Sequence, residues 1–320
     1  MYYISAASTI SHQPAFQNVG FSALIEPLQE HSDLLTPDYK AFIDAGLLRR
    51  MSKILRMSVA CAKDCLRQAG IDQPGAIIVG TGLGCLLDTE KFLNNVITIE
   101  GLLPPTAFIQ STHNTMAGQI SLSIGNHAYN MTHTQNSLSF ENALLDAMLL
   151  LDDQEEQILV GAADEAIEFL TEVSDQLHIQ RKLPLTSGAS FFILSNQKDD
   201  HSLACVRDTR AIGLTHDRSE QVRGFLSENE INVQDLDLVL FSGMDGYSEE
   251  LAALFADLNV EKNKCFNYLQ YSGIYPTASA FAVHLAVDKM KADKSLKKVL
   301  ICNTLIQSNL GLTLLQSVEA

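Results

Sequence analysis

The chain has few basic residues and no long basic run. It contains 22 Lys and Arg against 38 Asp and Glu, which gives a formal net charge of −16 at pH 7. Surfaces that bind nucleic acid or an anionic membrane need clustered positive charge. We therefore expect neither of these partners, and an acidic chain instead favours a protein partner that carries basic patches.

The sequence also lacks a Cys-x-x-Cys pair and any apolar run that approaches the roughly 18 residues a membrane span needs. Its cysteines lie in apolar contexts, away from histidines at the spacing of zinc ligands: Cys61, Cys65, Cys85, Cys205, Cys265 and Cys302. We interpret them as small core residues in a reducing cytosol, and we expect no metal site and no cofactor. Residues 1–10 lack the basic start and apolar core of a secretion signal, so we predict a cytoplasmic protein.

What is present is an ordinary globular composition, 46% hydrophobic and 19% charged, over 320 residues. This length accommodates one large domain or two fused halves. Strands and helices alternate in residues 1–195, with a strand at 2–8, a long helix at 46–70 and strands at 76–79, 158–165 and 189–194. Residues 196–320 repeat the order more faintly, with strands at 203–206, 236–243, 298–303 and 312–316 and helices at 219–227 and 277–288. We predict an α/β protein of two similar halves, 1–195 and 196–320.

The central stretch of the sequence runs from Tyr129 to Leu151. A short strand over 129–134 is followed by a tight turn and a helix. The helix places apolar residues on one stripe: Phe140, Ala143, Leu144, Ala147, Met148 and Leu151. We therefore predict a strand-turn-helix elbow whose helix is buried, and we expect Glu141, Asp146 and the acidic run 152–156 to form a solvated helix end.

Several motifs resemble those of the β-ketoacyl synthases. Met131–Leu144 resembles, without a gap, the nucleophile elbow of that family, where a strand ending in Thr-Ala-Cys-x-Ser-Gly enters a buried helix. Arg49–Lys63 looks like its Arg-Met-Ser-Arg-Phe helix, and Asn114–Leu122 is similar to its Asn-x-x-Ala-Gly-Gln-Ile-Ala helix. The resemblance implies a thiolase-like fold of five layers, α-β-α-β-α, with two pseudo-repeated halves.

The glycines at 80, 82 and 84 resemble the Gly-Thr-Gly-x-Gly turn of the same family. A dinucleotide-binding loop is the alternative interpretation of such a run. Its glycine spacing differs, and no suitable acidic residue lies about 20 positions further on. We therefore interpret the glycines as backbone turns that need positive φ.

The family's catalytic positions are changed in this chain. By the resemblance, Gln135 stands at the acyl-accepting cysteine, Asp245 at the first catalytic histidine and Ile274 at the second. An amide has no thiolate to attack a thioester, and neither an ionised Asp245 nor Ile274 can donate a hydrogen bond to an enolate. We therefore expect that the chain alone is not a 3-oxoacyl-carrier-protein synthase.

This pattern resembles the chain-length-factor subunits of type II polyketide and aryl-polyene systems. The resemblance implies a heterodimer with an active ketosynthase, in which this chain shapes the acyl tunnel; a homodimer stays open. It places tunnel or interface residues at Phe108, His113, Asn114, His133 and Gln135. It also implies an acidic acyl carrier protein as a further partner, docked on Arg49, Arg50 and Lys53, although these could also form an ordinary exposed face.

Two other functions remain open at this point. One is a malonyl decarboxylase of the glutamine-bearing ketosynthase type, although that activity uses the two histidines that are missing here. The other is a stand-alone acyl-thioester hydrolase or acyl-binding protein with a new site, since His113, His127 and His133 lie near the elbow. Strand alternation would place His133 and Gln135 on one face, which suggests a hydrogen bond between them.

Overall fold

The computed structural model describes residues 1–153, 156–179, 181–244 and 248–318. Within these residues, ten strands form one sheet in the order β3-β2-β4-β5-β1-β6-β10-β9-β7-β8. The strands are β1 Tyr2–Ile10, β2 Ala76–Gly80, β3 Tyr129–His133, β4 Gln157–Asp164, β5 Gly188–Ser195, β6 Ala204–Ile212, β7 Leu238–Phe241, β8 Cys265–Asn267, β9 Lys298–Asn303 and β10 Leu310–Gln316. The helices are α1 Ala45–Leu48, α2 Lys53–Ala69, α3 Leu86–Thr98, α4 Pro105–Gln110, α5 Thr115–Ile124, α6 Ser139–Asp152, α7 Glu168–Gln176, α8 Arg218–Glu228, α9 Ser248–Asp257, α10 Leu269–Ser272 and α11 Ala278–Ala292.

The strand order repeats between the two halves of the sheet. From the centre outward, β1-β5-β4-β2-β3 in the first half corresponds to β6-β10-β9-β7-β8 in the second. The three outer strands of each half are parallel, and the inner pairings are antiparallel. The halves meet where Tyr2–Ile4 pairs with Ala204–Val206. The predicted pseudo-repeat is confirmed, while the boundary after residue 195 stays a prediction.

Alternating strand residues separate three hydrophobic cores, because successive side chains point to opposite faces of a sheet. Ile77 and Val79 pack outward against α2 and α5, whereas Ile78 points inward to α6 and α11. In the second half, Ile301 points inward to the same two helices and Leu300 points outward to α8 and α9. The layers are therefore α-β-α-β-α, as predicted, with α6 and α11 between the two halves of the sheet.

The helix predicted from Gly46 onward is divided in the structure. Helix α1 ends at Leu48, and α2 begins only at Lys53, after Ser52 in extended conformation. Between them the chain turns so that Met51 is buried, and its carbonyl accepts a hydrogen bond from Arg56 Nε at 2.9 Å. The predicted end at Gly70 is confirmed, since this glycine has a φ of +67°, a left-handed conformation that glycine adopts without strain.

The cysteines behave as core residues. All six are free thiols; five are buried and Cys265 is half-buried. Among the described residues, no helix has both the length and the apolar composition needed to cross a membrane.

Candidate functional site

The site is built around the carboxylate of Asp164, at the end of β4. Its Oδ1 accepts hydrogen bonds from Thr81 Oγ1 at 2.9 Å, the Gly82 amide at 3.0 Å and the Leu83 amide at 2.8 Å. Its Oδ2 accepts from the amide and the hydroxyl of Thr277, at 3.0 and 2.7 Å. Burial raises the pKa of Asp164, and these hydrogen bonds oppose that rise. One buried side chain thus links the turn after β2, the end of β4 and the start of α11.

The glycine turn after β2 is used for internal packing. A dinucleotide-binding loop would need free backbone amides to bind a phosphate group. The amides of Gly82 and Leu83 already donate to Asp164. A Cβ at Gly82 would lie 2.2 Å from Pro276 Cβ, and one at Gly84 would lie 2.5 Å from the His113 ring. The turn therefore needs glycine for close approach of neighbouring segments. Of the three glycines only Gly84 has a positive φ, +62°, so the prediction of positive φ is confirmed there and is wrong at Gly80 and Gly82.

The elbow lies directly beside this turn. Strand β3 ends at His133, whose carbonyl accepts from the Thr81 amide at 2.9 Å. A 3₁₀ turn over Asn136–Leu138 then leads into α6, and Asn136 has a φ of +54°. A non-glycine residue at positive φ marks a strained turn, the kind of position that a nucleophile occupies in strand-turn-helix elbows.

The strained residue is thus Asn136, whereas the exposed Gln135 precedes it. Both candidate residues carry amides, and neither side chain has an ionisable nucleophile. The placement of Gln135 at the family's cysteine position stays a prediction. The absence of a thiol at the turn holds for either residue.

Segments from the second half close around the elbow. Asn303, at the end of β9, donates from Nδ2 to the Ser137 carbonyl at 2.7 Å. Asn309, in the loop before β10, donates from Nδ2 to Ser137 Oγ at 3.1 Å. Ile274 is held by backbone hydrogen bonds to residues 184 and 186, two positions before the Pro276 that contacts Gly82. Asp245 lies outside the described residues.

The prediction that Glu141 is solvated is wrong. Its side chain is buried at the centre of the site, and the residue is 1% exposed. Oε1 accepts from Asn303 Nδ2 at 2.9 Å and would clash with any side chain at Gly311, while Oε2 has no hydrogen-bond partner among the described residues. Helix α6 lies between two layers of sheet, so the face that carries Glu141 is buried along with the apolar stripe, while Asp146 is half-buried. Burial raises the pKa of Glu141, and the bond from Asn303 opposes that rise.

The histidine and interface candidates lie apart from this buried centre. His133 Nε2 lies 2.9 Å from Asp146 Oδ2, so Asp146 on α6 is its partner. Gln135 comes after the end of β3, and the suggested alternation with His133 therefore does not apply. His113 packs on Gly84, the exposed Asn114 is the N-cap residue that precedes α5, and Phe108 on α4 is 58% exposed.

The thiols nearest in sequence to the site are not activated. Burial raises the pKa of Cys302, which precedes Asn303, to about 12. Burial likewise raises the pKa of Cys85, which follows the glycine turn, to about 12. Since the thiolate is the reactive form, burial makes both thiols poor nucleophiles at neutral pH. The described residues contain no group of three or more His, Cys, Asp or Glu that could hold a metal ion.

Asp164, Glu141 and Asn303 were not among the sequence candidates. Asp164 could have been found from the sequence, because it lies in the apolar strand motif Gly-Ala-Ala-Asp-Glu. An acid in such a strand is expected to be buried, and a buried acid needs hydrogen-bond partners. Glu141 and Asn303 are 162 residues apart and meet only in the folded chain.

Comparison with known proteins identifies the class. The architecture is that of the thiolase-like ketosynthases, and a family model described as the N-terminal domain of β-ketoacyl synthase matches residues 27–230, more than half of the chain. The chain therefore belongs to the β-ketoacyl synthase family. No curated protein matches it significantly in sequence.

Several solved structures share the whole architecture. The ishigamide ketosynthase/chain length factor has a TM-score of 0.81 at 14% identity, covering 99% of both chains. A ketosynthase (ApeO) in complex with its chain length factor (ApeC) from Xenorhabdus doucetiae gives 0.77 at 11%, covering 99% of this chain and 98% of that one. A type II polyketide synthase acyl carrier protein in complex with its ketosynthase (AntDE:AntF) gives 0.77 at 14%, covering 99% of both. At these identities the likeness establishes the fold.

A pH series tests the buried state of Glu141. Because its pKa is raised in the folded protein, ionisation penalises the folded state as pH rises above the ordinary range of a glutamic acid. Glu141→Gln should therefore gain stability relative to the wild type as pH rises from about 5 to 8. The gain in the free energy of unfolding should be about 1.4 kcal/mol for each pH unit by which folding raises the pKa. Urea unfolding at each pH measures this.

Glu172→Gln, at an exposed glutamate of α7, serves as the control and should follow the wild type at every pH. Parallel stability profiles for the wild type and Glu141→Gln would contradict a raised pKa at this position.

Proposed function

We propose that this chain is a non-catalytic subunit that pairs with an active β-ketoacyl synthase and sets acyl chain length in a polyketide or fatty-acid-like pathway of the aryl-polyene type. The observation that carries the proposal is an elbow with amides at its turn and no activated thiol beside it. The structures that share the fold include ketosynthases in complex with chain length factors, which supports this role.

The changed positions argue against condensation by this chain alone. Forming an acyl-enzyme needs a nucleophile at the elbow, and stabilising the enolate needs hydrogen-bond donors. Gln135 and Asn136 cannot supply the first, and Ile274 cannot supply the second. An inert elbow is compatible with a subunit that contributes shape to a partner's tunnel.

The outer edge of the first half offers a surface for that partner. Within the described residues, β3 pairs only with β2, so its other edge has unpaired backbone groups. Tyr129 and Met131 on this strand and Leu145 and Leu149 on α6 are exposed apolar residues. An edge strand with an apolar border is suited to extension of the sheet by a second chain.

Helices α3 and α4 carry a further group of exposed apolar residues. Phe108 packs against Phe92 with ring centroids 5.5 Å apart, yet more than half of it is exposed. Leu93, Ile97 and Ile109 are also exposed on these helices. A patch of this kind marks an interaction surface, and we assign Phe108 to the wall of an acyl tunnel completed by the partner.

Met131→Lys tests pairing through β3. A lysine at this edge would have to lose water when a second strand pairs, so the complex with the ketosynthase of the same pathway should weaken at least about tenfold. Native mass spectrometry after co-expression measures the one-to-one complex.

Leu177→Lys, at an exposed position after α7, is the control and should leave the complex intact. A stable homodimer that ignores every ketosynthase offered would refute the heterodimer.

Phe108→Ala tests the chain-length role itself. Removing the ring enlarges the space beside the tunnel, so the reconstituted pair should make products of altered length while the complex remains. Product analysis by mass spectrometry measures the shift, with the exposed Phe169→Ala on α7 as the matched control. An unchanged product distribution would remove Phe108 from the tunnel.

A basic groove of about 590 Å³ lies between the start of α2 and helices α3 and α4. Five cations line it: Arg49, Arg50, Lys53, Arg56 and Lys91. Lys53 Nζ lies 3.5 Å from Glu165 Oε1, whereas Arg49 and Arg50 have no acidic partner among the described residues. In a chain of net charge −16, this cluster supports docking of an acidic acyl carrier protein.

Reversing two of these charges tests the docking. The double variant Arg49→Glu with Arg50→Glu should weaken carrier-protein binding at least about tenfold, more strongly at low salt, because the attraction is electrostatic. Titration calorimetry measures the affinity. Lys262→Glu with Lys297→Glu makes the same change of net charge outside the groove and should have little effect. Equal affinity for both double variants would place the docking surface elsewhere.

A further inference from the structure

A separate cavity of about 630 Å³ lies where the two halves of the sheet part. Strand β1 pairs with β6 only over Tyr2–Ile4, and a bulge follows at Ser5. Beyond it, the Gln68 side chain bonds to the amide and carbonyl of Ala7, at 3.4 and 3.1 Å. The cavity opens between β1, α2 and the second half of α11. Asp288 in the cavity wall and Thr277, which precedes α11 and bonds to Asp164, lie roughly 16 Å apart along the helix axis. The cavity is therefore separate from the elbow site.

Two nearly buried carboxylates line this cavity. Asp64 is 2% exposed and accepts from the Gln17 and Gln68 side-chain amides, at 2.6 and 2.8 Å. Asp288 is 5% exposed and accepts from the backbone amides of Gly20 and Ser22, at 2.7 and 2.9 Å. All four donors are neutral. Two exposed lysines, Lys291 and Lys294, also line the cavity.

The third group in the cavity wall is an imidazole. His284 is 8% exposed, and its Nδ1 lies 2.8 Å from Thr9 Oγ1. Thr9 Oγ1 donates its own proton to Ser190 Oγ at 2.8 Å, so it accepts the Nδ1 proton of His284. Burial lowers the pKa of His284 to about 4, which keeps the ring neutral. Nε2 is therefore an acceptor, and no described residue donates to it.

The buried wall thus presents acceptors and negative charge. Buried charges in proteins are normally matched by a cation or a metal. Several acceptors in one wall suit a cation that has more than one N–H donor. We propose that the cavity binds a small organic cation, a primary amine whose ammonium group is held by the carboxylates of Asp64 or Asp288, with Nε2 of His284 as a further acceptor in the wall.

Comparison of an amine with a neutral alcohol of the same chain length tests whether binding depends on the charge of the ligand. The probes are n-butylamine, 1,4-diaminobutane and 1-butanol, tested by saturation-transfer NMR and calorimetry at low salt. The amines should bind the wild-type chain at least about tenfold more tightly than the alcohol, because a hydrogen bond to an ionised group is stronger than a neutral one. Equal binding of amine and alcohol, or no amine binding up to about 10 mM, would overturn the proposal.

Two charge changes at exposed lysines test the proposal without altering a buried residue. Lys291 lies at the cavity mouth and is exposed, so Lys291→Glu should tighten amine binding at least about threefold. Lys262→Glu makes the same change of net charge away from the cavity and should match the wild type. Asp64→Asn should weaken binding about tenfold, with Glu141→Gln, a buried acid in the elbow site, as its control. Equal effects of Lys291→Glu and Lys262→Glu would overturn the proposal even if Asp64→Asn failed to fold.

Discussion

The burial of Asp164 constrains the arrangement of everything around the elbow. A carboxylate removed from water is costly unless hydrogen bonds replace its hydration. Here those bonds come from the turn after β2 and from Thr277 at the start of α11, which lie far apart in the chain. They are complete only when all three segments are in place. The same interaction therefore positions the glycine turn against the elbow and joins the central helices to the first half.

The elbow keeps the backbone geometry of a strand-turn-helix site but carries no thiol at its turn. The parallel strands β2 and β3, the strained Asn136 and the buried start of α6 keep the geometry of a site. The turn itself carries the amides of Gln135 and Asn136 and no thiol. Function resides in a few side chains carried on a fold, so a fold persists when such side chains change. In the proposed function, the elbow serves to position surfaces next to another subunit.

Charge is distributed unevenly over these surfaces. The chain is acidic overall, yet Arg49, Arg50 and Lys91 line one groove, while the β3 edge and helices α3 and α4 expose apolar residues. The cavity at the parting of the sheet has Asp64 and Asp288 in its buried wall and Lys291 and Lys294 at its exposed side. The groove is thus basic, the β3 edge is apolar with unpaired backbone groups, and the buried wall of the cavity is rich in acceptors.

Local pattern was sufficient to predict much of the fold. The apolar stripe of α6, the helix end at Gly70, the strand over Lys298–Asn303 and the repeated order of elements follow from side-chain periodicity and glycine chemistry, which act between near neighbours. The motif resemblance added the five layers. Pattern failed at the division of α1 from α2, at strand β8 and at Glu141.

In each of these cases the outcome depends on residues distant in sequence. Met51 is buried by the folded core, and β8 has only three residues and pairs with β7 more than 20 positions earlier. Glu141 is enclosed because a second layer of sheet covers the helix face that a two-layer protein would leave in water. The sequence by itself determined the strands other than β8, the central helices and their order along the chain. Only the tertiary structure decided which polar groups lost contact with water, because desolvation depends on everything that packs around a residue.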